Sequence, residues 1–279
     1  MSYTPSLKYG YTKSTGTPWT LADLGSDAFA FYDMNTGITD AGSGKVSAWN
    51  DFLGNALRNL SQATGGNRPT LTVDGVAFNG TSDYIFNTNP FMANSANGVT
   101  VMAIMSAPAN TSSSARWSVA EGSTASTIQN MTLLAKDNIV ADYGKITQAL
   151  RNDANVNILT YGGNSGAGTA FDNTFKLLSV NFNKSTGFIT TSINGVVESP
   201  PLAFTSSGVF TLNRFSLGAF VRSTVLNYSS MTIKGMAFLN ATISTDDHQR
   251  SEGYLCHLYN RTDLLPIGHP YKTNPPLVG

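Results

Sequence analysis

The chain has 279 residues, with Lys plus Arg equal to Asp plus Glu at 17 each and only 12% of residues charged, against roughly 25% in an average protein. That balance excludes the basic footprint of a nucleic-acid or anionic-membrane binder. The single cysteine, Cys256, excludes an internal disulfide framework, and a domain of this size buries roughly 75% of its unfolded surface without needing disulfides or metal.

Residues 1–26 hold Pro, Gly, Ser, Thr and three tyrosines without a sustained period. They read as an extended arm preceding one domain, 27–279. No signal-peptide pattern opens the chain, and no apolar run reaches the roughly 18 residues of a membrane span. Eight Asn-X-Ser/Thr sequons, among them Asn59, Asn79, Asn183 and Asn260, mark an uncharged polar surface.

Short aromatic or β-branched runs bounded by turn residues predict strands at 27–34, 45–51, 75–80 and 83–87. The run GVTVMAIMSA (98–107) is apolar at every step, which places it mid-sheet and covered on both faces. Further strands are expected at 115–122, 130–137, 139–144, 145–151, 173–184, 187–198, 208–220 and 230–243. Asn194-Gly195 inside FITTSINGVVES predicts a two-residue type I′ hairpin, because both central residues must take positive φ. Residues 152–172, with GGNSGAG, read as a surface loop. The spacing is that of an all-β, two-sheet antiparallel sandwich.

One helix is predicted, at the end. Ser244 is a good N-cap, Asp246 and Asp247 suit the first turn, and Tyr254, Leu255, Leu258 and Tyr259 recur at helical spacing. Gly253 within it implies close approach to the sandwich.

Chemistry-bearing patterns are sparse. His248 and His257 stand nine residues apart, about 900° on a helix and so half a turn out of alignment, which argues against a shared metal. The three glutamates, Glu121, Glu198 and Glu252, are isolated in sequence. No two lie at alternate strand positions, as paired glycosidase carboxylates do. There is no G-x-S-x-G or Walker loop, and Cys256 and His257 diverge as helical neighbours. No catalytic residue, metal site or cofactor is therefore assigned. Trp49 and Trp117 fall in predicted strands and read as core. Tyr143, Tyr161 and Asn164, in predicted turn and loop positions, are the candidates for a glycan contact.

Four segments then carry a resemblance. WNDFLGNALRNLSQATGGNRPTL supplies Trp49, Asp51, Gly54, Asn55, Gln62, Arg68 and Pro69; GVAFNGTSDYIF supplies Phe78, Gly80, Asp83 and Tyr84. GVTVMAIMSAP and the ending QRSEGYLCHLYNRTDLLPIGHPYKTNPP complete the pattern. The chain resembles the concanavalin A-like, laminin-G-like jelly-roll domains of bacteriophage virion proteins, over residues 27–276. It departs at Leu258-Tyr259-Asn260, where Lys-Trp-Gly is usual.

The resemblance implies a jelly roll with a terminal clasp. Tyr254, Leu255 and Leu258 are expected to plug the sheet edge, while Pro266, Pro270 and Pro275-Pro276 hold the tail extended and His269 is structural. Some relatives hold calcium, for which Asp51 and Asp83 are the first candidates here, but a buried structural aspartate is the commoner role and no metal is assigned. The functional expectation is a non-enzymatic virion protein on the particle surface, made in the host cytoplasm. It is expected to decorate or reinforce capsid or tail, attach to other virion proteins through the arm, form a homo-oligomer and contact host-surface glycan. A receptor-binding lectin is the alternative, and a glycan hydrolase ranks third.

Overall fold

The apolar runs pair as two nine-stranded sheets, and every paired strand is antiparallel. The computed structural model describes residues 16–109, 116–125, 130–136, 144–154, 157–160, 169–198, 200–205 and 208–278. The first sheet runs Val196–Val197, Phe188–Ile193, Lys176–Asn183, Gly98–Ser106, Ser230–Asn240, Gly75–Asn79, Thr70–Thr72, with Ala28–Asp33 also on Ser230–Asn240 and Leu202–Ala203 on Phe188–Ile193. The second runs Asn157–Thr160, Ile146–Arg151, Asn130–Lys136, Arg116–Gly122, Arg214–Leu217, Ile85–Asn87, Leu60–Ser61, Val46–Trp49, Ile38–Asp40. The expected all-β, two-sheet sandwich is the fold observed.

Strand periodicity divides the buried residues of the first sheet between two clusters. Along Gly98–Ser106, Val99, Val101, Ala103 and Met105 enter the layer between the sheets, where Tyr32, Trp49, Phe215 and Phe238 also pack. The alternate residues Met102 and Ile104 face outward and are just as buried, in a second cluster under the terminal helix, Thr245–Leu258. This explains why the run is apolar on both faces. The Asn194-Gly195 hairpin forms, with φ of 54° and 73°. Asp51 accepts from the N–H groups of Phe31, Leu53 and Asn55, and Asp83 from that of Asn79, so both hold turns.

Several expectations are corrected. Of the arm, residues 16–26 belong to the packed domain: Trp19 and Leu21 are buried in the outer cluster, and Pro18 bridges to Leu277 in the tail. The 152–172 segment contains the strand Asn157–Thr160, paired to Ile146–Arg151, and its Ala170 and Phe171 are buried. Residues 208–220 break at Gly218, whose φ of 88° separates Arg214–Leu217 from Phe220–Val221. The predicted strand at 139–144 falls almost wholly outside the described residues.

The clasp covers a sheet face, not an edge. Leu255 pins the helix over the central strands, and Tyr254 meets Phe31 and Trp19 edge-on, each with ring centroids 6.1 Å apart. Gly253 makes room for the tail instead of the sandwich, since a Cβ there would stand 2.4 Å from Tyr271 Cβ. The tail itself is a chain of turns, with the His269 N–H bonded to Pro266 O and the Lys272 N–H to His269 O, and Pro270 is exposed. Pro266 and His269 lie against Gly195 of the hairpin.

One buried cation gives the sandwich a pH dependence. Lys136 is 3% exposed, donates to Ser230 O, and has its pKa lowered from 10.5 to about 8 by burial and by Arg116. Between those two values the unfolded chain holds this proton and the folded chain does not, so stability rises with pH across that window, by at most about 3 kcal/mol. In urea unfolding followed from pH 7.5 to 10.5, the stability of Lys136→Met relative to wild type is expected to fall by up to that amount as pH rises. A pH-independent difference refutes the assignment.

Candidate functional site

Two pockets carry more polar chemistry than the fold requires. The first lies at the rim, where the segment Phe91–Asn97 meets the turn Ala56–Arg58. Glu121, on the strand Arg116–Gly122, is fully buried and accepts from three consecutive backbone N–H groups: Phe91 and Met92 on Oε1, Ala93 on Oε2. From the other side Lys184 Nζ donates to the carbonyls of Ala93 and Ser95. Arg58 lays its guanidinium 3.9 Å from the Phe91 ring centroid, and its Nη1 is buried without a hydrogen-bond partner.

Burial pushes the Glu121 carboxyl up, against the pull of its three N–H donors and Arg58. It pushes Arg58 down, against Tyr32, Glu121 and Asp51, and Lys184 down, against Glu121. Arg58 lines the adjoining pocket, while Glu121 and Lys184 hold the segment Phe91–Ser95 that forms its wall. The pocket they frame holds about 440 Å³ and is lined by Phe29, Arg58, Phe91, Asn94, Ser95, Ala96, Asn97 and Asn240. Amide and hydroxyl groups beside aromatic surface can hydrogen-bond and pack against a polyhydroxylated ligand.

The second is a cleft of about 230 Å³ where the start of the terminal helix overhangs the first sheet. Cross-strand register puts Ser179 opposite Ser192 and Asn181 opposite Thr190. Ile243, Ser244, Thr245 and His248 close it from above. Ser179 Oγ is 3.1 Å from His248 Nε2, His248 Nδ1 is 3.7 Å from Glu252 Oε1, and Glu252 Oε2 is 3.2 Å from His269 Nε2. His257 points away, with Nε2 2.9 Å from Tyr271 O, as helical spacing predicts. Among the described residues, no group of three or more His, Cys, Asp and Glu side chains is arranged to hold a metal.

Tyr143, Tyr161 and Asn164, the glycan candidates of the sequence, lie outside the described residues. Arg58 and Lys184 carried no motif, and Glu121 was read only as one of three glutamates isolated in sequence. The His248–Glu252–His269 convergence was missed because helix geometry was applied to His248 and His257 alone, while His269 arrives from the tail.

No protein-family model matches the chain, and no curated protein matches it. Solved structures do. The botulinum neurotoxin serotype D ligand binding domain in complex with N-acetylneuraminic acid is similar with a TM-score of 0.55 at 11% identity, over 86% of this chain and 52% of that one. The botulinum neurotoxin serotype D binding domain gives 0.54 at 11%, over 84% and 51%. The receptor binding domain of botulinum neurotoxin D gives 0.51 at 13%, over 86% and 53%. At such identities the likeness is one of fold, the all-β antiparallel sandwich. The chain spans about half the length of the toxin chains it matches.

Proposed function

We propose that this chain is a bacteriophage virion-surface protein that binds host-surface glycan through the rim pocket. The observation that carries the binding half is the buried Glu121 with the half-buried Lys184 and Arg58 beside it. Glu121 and Lys184 fix the backbone of residues 91–95 from both sides and so hold Asn94, Ser95 and Asn97 in one arrangement before any ligand arrives. Preorganisation of this kind lowers the ordering cost of binding. That one of its structural neighbours was solved with N-acetylneuraminic acid is consistent with a saccharide on this fold. Fold alone does not fix function, so the residues of the pocket carry the reading.

The virion half rests on the resemblance of residues 27–276 to phage jelly-roll domains and on the low-charge Asn/Ser/Thr surface. In this reading the protein decorates or reinforces capsid or tail, with residues 1–15 as the attachment segment. Purified particles are expected to contain the chain, and its absence from them sinks this half.

A glycan array followed by calorimetry tests the other half. Asn94→Ala with Asn97→Ala, both at an exposed rim, is expected to weaken binding of the best array hit at least tenfold while leaving the melting temperature within about 2 °C, as surface substitutions do. Binding that survives the double substitution moves the site elsewhere. An array on which nothing binds removes the glycan reading.

A further inference from the structure

Hydrogen-bond direction in the second cleft assigns a role to Ser179. The Tyr271 N–H donates to His269 Nδ1 at 3.2 Å, so that nitrogen is unprotonated and the ring proton sits on Nε2. His269 Nε2–H then donates to Glu252 Oε2, fixing this carboxylate, 3% exposed, as an acceptor. Its other oxygen faces His248 Nδ1 at 3.7 Å and favours the tautomer protonated there. In that tautomer His248 Nε2 presents its lone pair 3.1 Å from Ser179 Oγ, which then donates.

A serine donating to a histidine whose far nitrogen faces a buried carboxylate is the arrangement that activates a hydroxyl nucleophile. Ser192 stands directly across the strand pair from Ser179, which puts the two Cβ atoms about 4.5–5.5 Å apart. Ser192 is 4% exposed, and its Oγ has no hydrogen-bond partner. Thr245, at the first helical position, also lines the cleft. Its N–H lacks an intrahelical acceptor and lies at the positive end of the helix dipole.

We propose that this cleft cleaves small carboxylic esters, with Ser179 as nucleophile, His248 as general base and acid, and Glu252 as a positioning residue. Ser179 Oγ attacks the ester carbonyl carbon as His248 Nε2 takes its proton, and the carbonyl electron pair moves to oxygen, facing the Ser192 hydroxyl. Collapse expels the alcohol, which takes the proton from His248. Water, deprotonated by His248, then attacks the acyl-serine and releases the carboxylic acid, restoring Ser179. The cleft is small, and His248 is the one titratable side chain lining it, which selects uncharged acyl groups of acetyl size. The proposal uses none of the rim-pocket residues and is independent of the glycan reading.

A fluorophosphonate probe on the full chain is expected to form a phosphorus–oxygen bond at Ser179 with loss of fluoride, located by peptide mass mapping. Hydrolysis of p-nitrophenyl acetate is expected to fall about 10³-fold or more in Ser179→Ala and His248→Gln. In Ser192→Ala, kcat is expected to fall about 10²-fold with KM within roughly twofold, the mark of an oxyanion donor. Thermal melts check that each variant folds. Folded wild type unlabelled at Ser179, or turnover unchanged in Ser179→Ala, overturns the proposal, and the labelling result stands even if the alanine variant fails to fold.

Discussion

A chain ended at Asn240 is expected not to reach the native state, and to recover from refolding as aggregate. The outer face of the first sheet presents Phe31, Met102, Ile104, Leu177, Ala237 and Leu239, and their cover is the terminal helix and tail through Leu255, Cys256, Leu264 and Leu265. Each large apolar side chain returned to water costs about 1.5–3 kcal/mol. Five of them together rival the whole stability of a domain, about 5–15 kcal/mol. The tail also holds the chain's beginning, with Trp19 N–H bonded to Pro276 O and Val278 N–H to Thr17 O. Truncation therefore frees Trp19 and Leu21 as well, leaving a broad apolar face of the kind that associates.

The companion deletion of residues 1–24 removes Trp19, Leu21 and Leu24 from this cluster and is expected to cost at least about 3 kcal/mol, the scale of a large core truncation. It does not behave as loss of a detached arm. Circular dichroism with size-exclusion chromatography reads both outcomes; a monomeric, cooperatively melting 1–240 chain overturns the account of the clasp.

How far the sequence spoke depended on the range of the interactions involved. Local signals were reliable: the Asn194-Gly195 turn needs only two φ angles, and Ser244 caps its helix by accepting from the Asp247 N–H three residues on. The two-faced strand Gly98–Ser106 was legible because burial on each face writes itself into every residue. Which surface the helix would cover was not legible, because edge and face ask for the same apolar stripe on the helix. The difference is written in Phe31 and Leu177, on strands far away in the chain. Trp19 read as arm for the same reason, since its partner Tyr254 lies at the other terminus.

The two pockets were less legible still. Arg58, Glu121 and Lys184 are remote from one another in sequence and share no motif, and only strand pairing gathers them round residues 91–95. His269 read as a passive tail residue whose loss would matter little. In the structure it is the buried donor to Glu252.

Replacing Glu121 by Ala is expected to lower stability by at least about 4 kcal/mol and to abolish glycan binding at the rim pocket together. Three backbone N–H groups end on this one carboxylate. Each buried donor left unpaired costs about 1–3 kcal/mol. Arg58 and Lys184, both partly desolvated, also lose the negative charge that offsets their burial. Glutamine is no isostere in this setting. Its carbonyl can serve one side of the site, but its amide then turns a donor toward a donor, at Ala93 or at Phe91 and Met92. Glu121→Gln is thus expected to fall between wild type and alanine. For a chain of this length 4 kcal/mol corresponds to a melting shift of roughly 7 °C. Binding measured below the variant's melting temperature separates the two effects. A folded Glu121→Ala protein should still lose affinity, because residues 91–95 are no longer held and the ordering cost moves into the binding step. A melting temperature within about 2 °C of wild type, or undiminished affinity in the folded variant, contradicts the role assigned to this carboxylate.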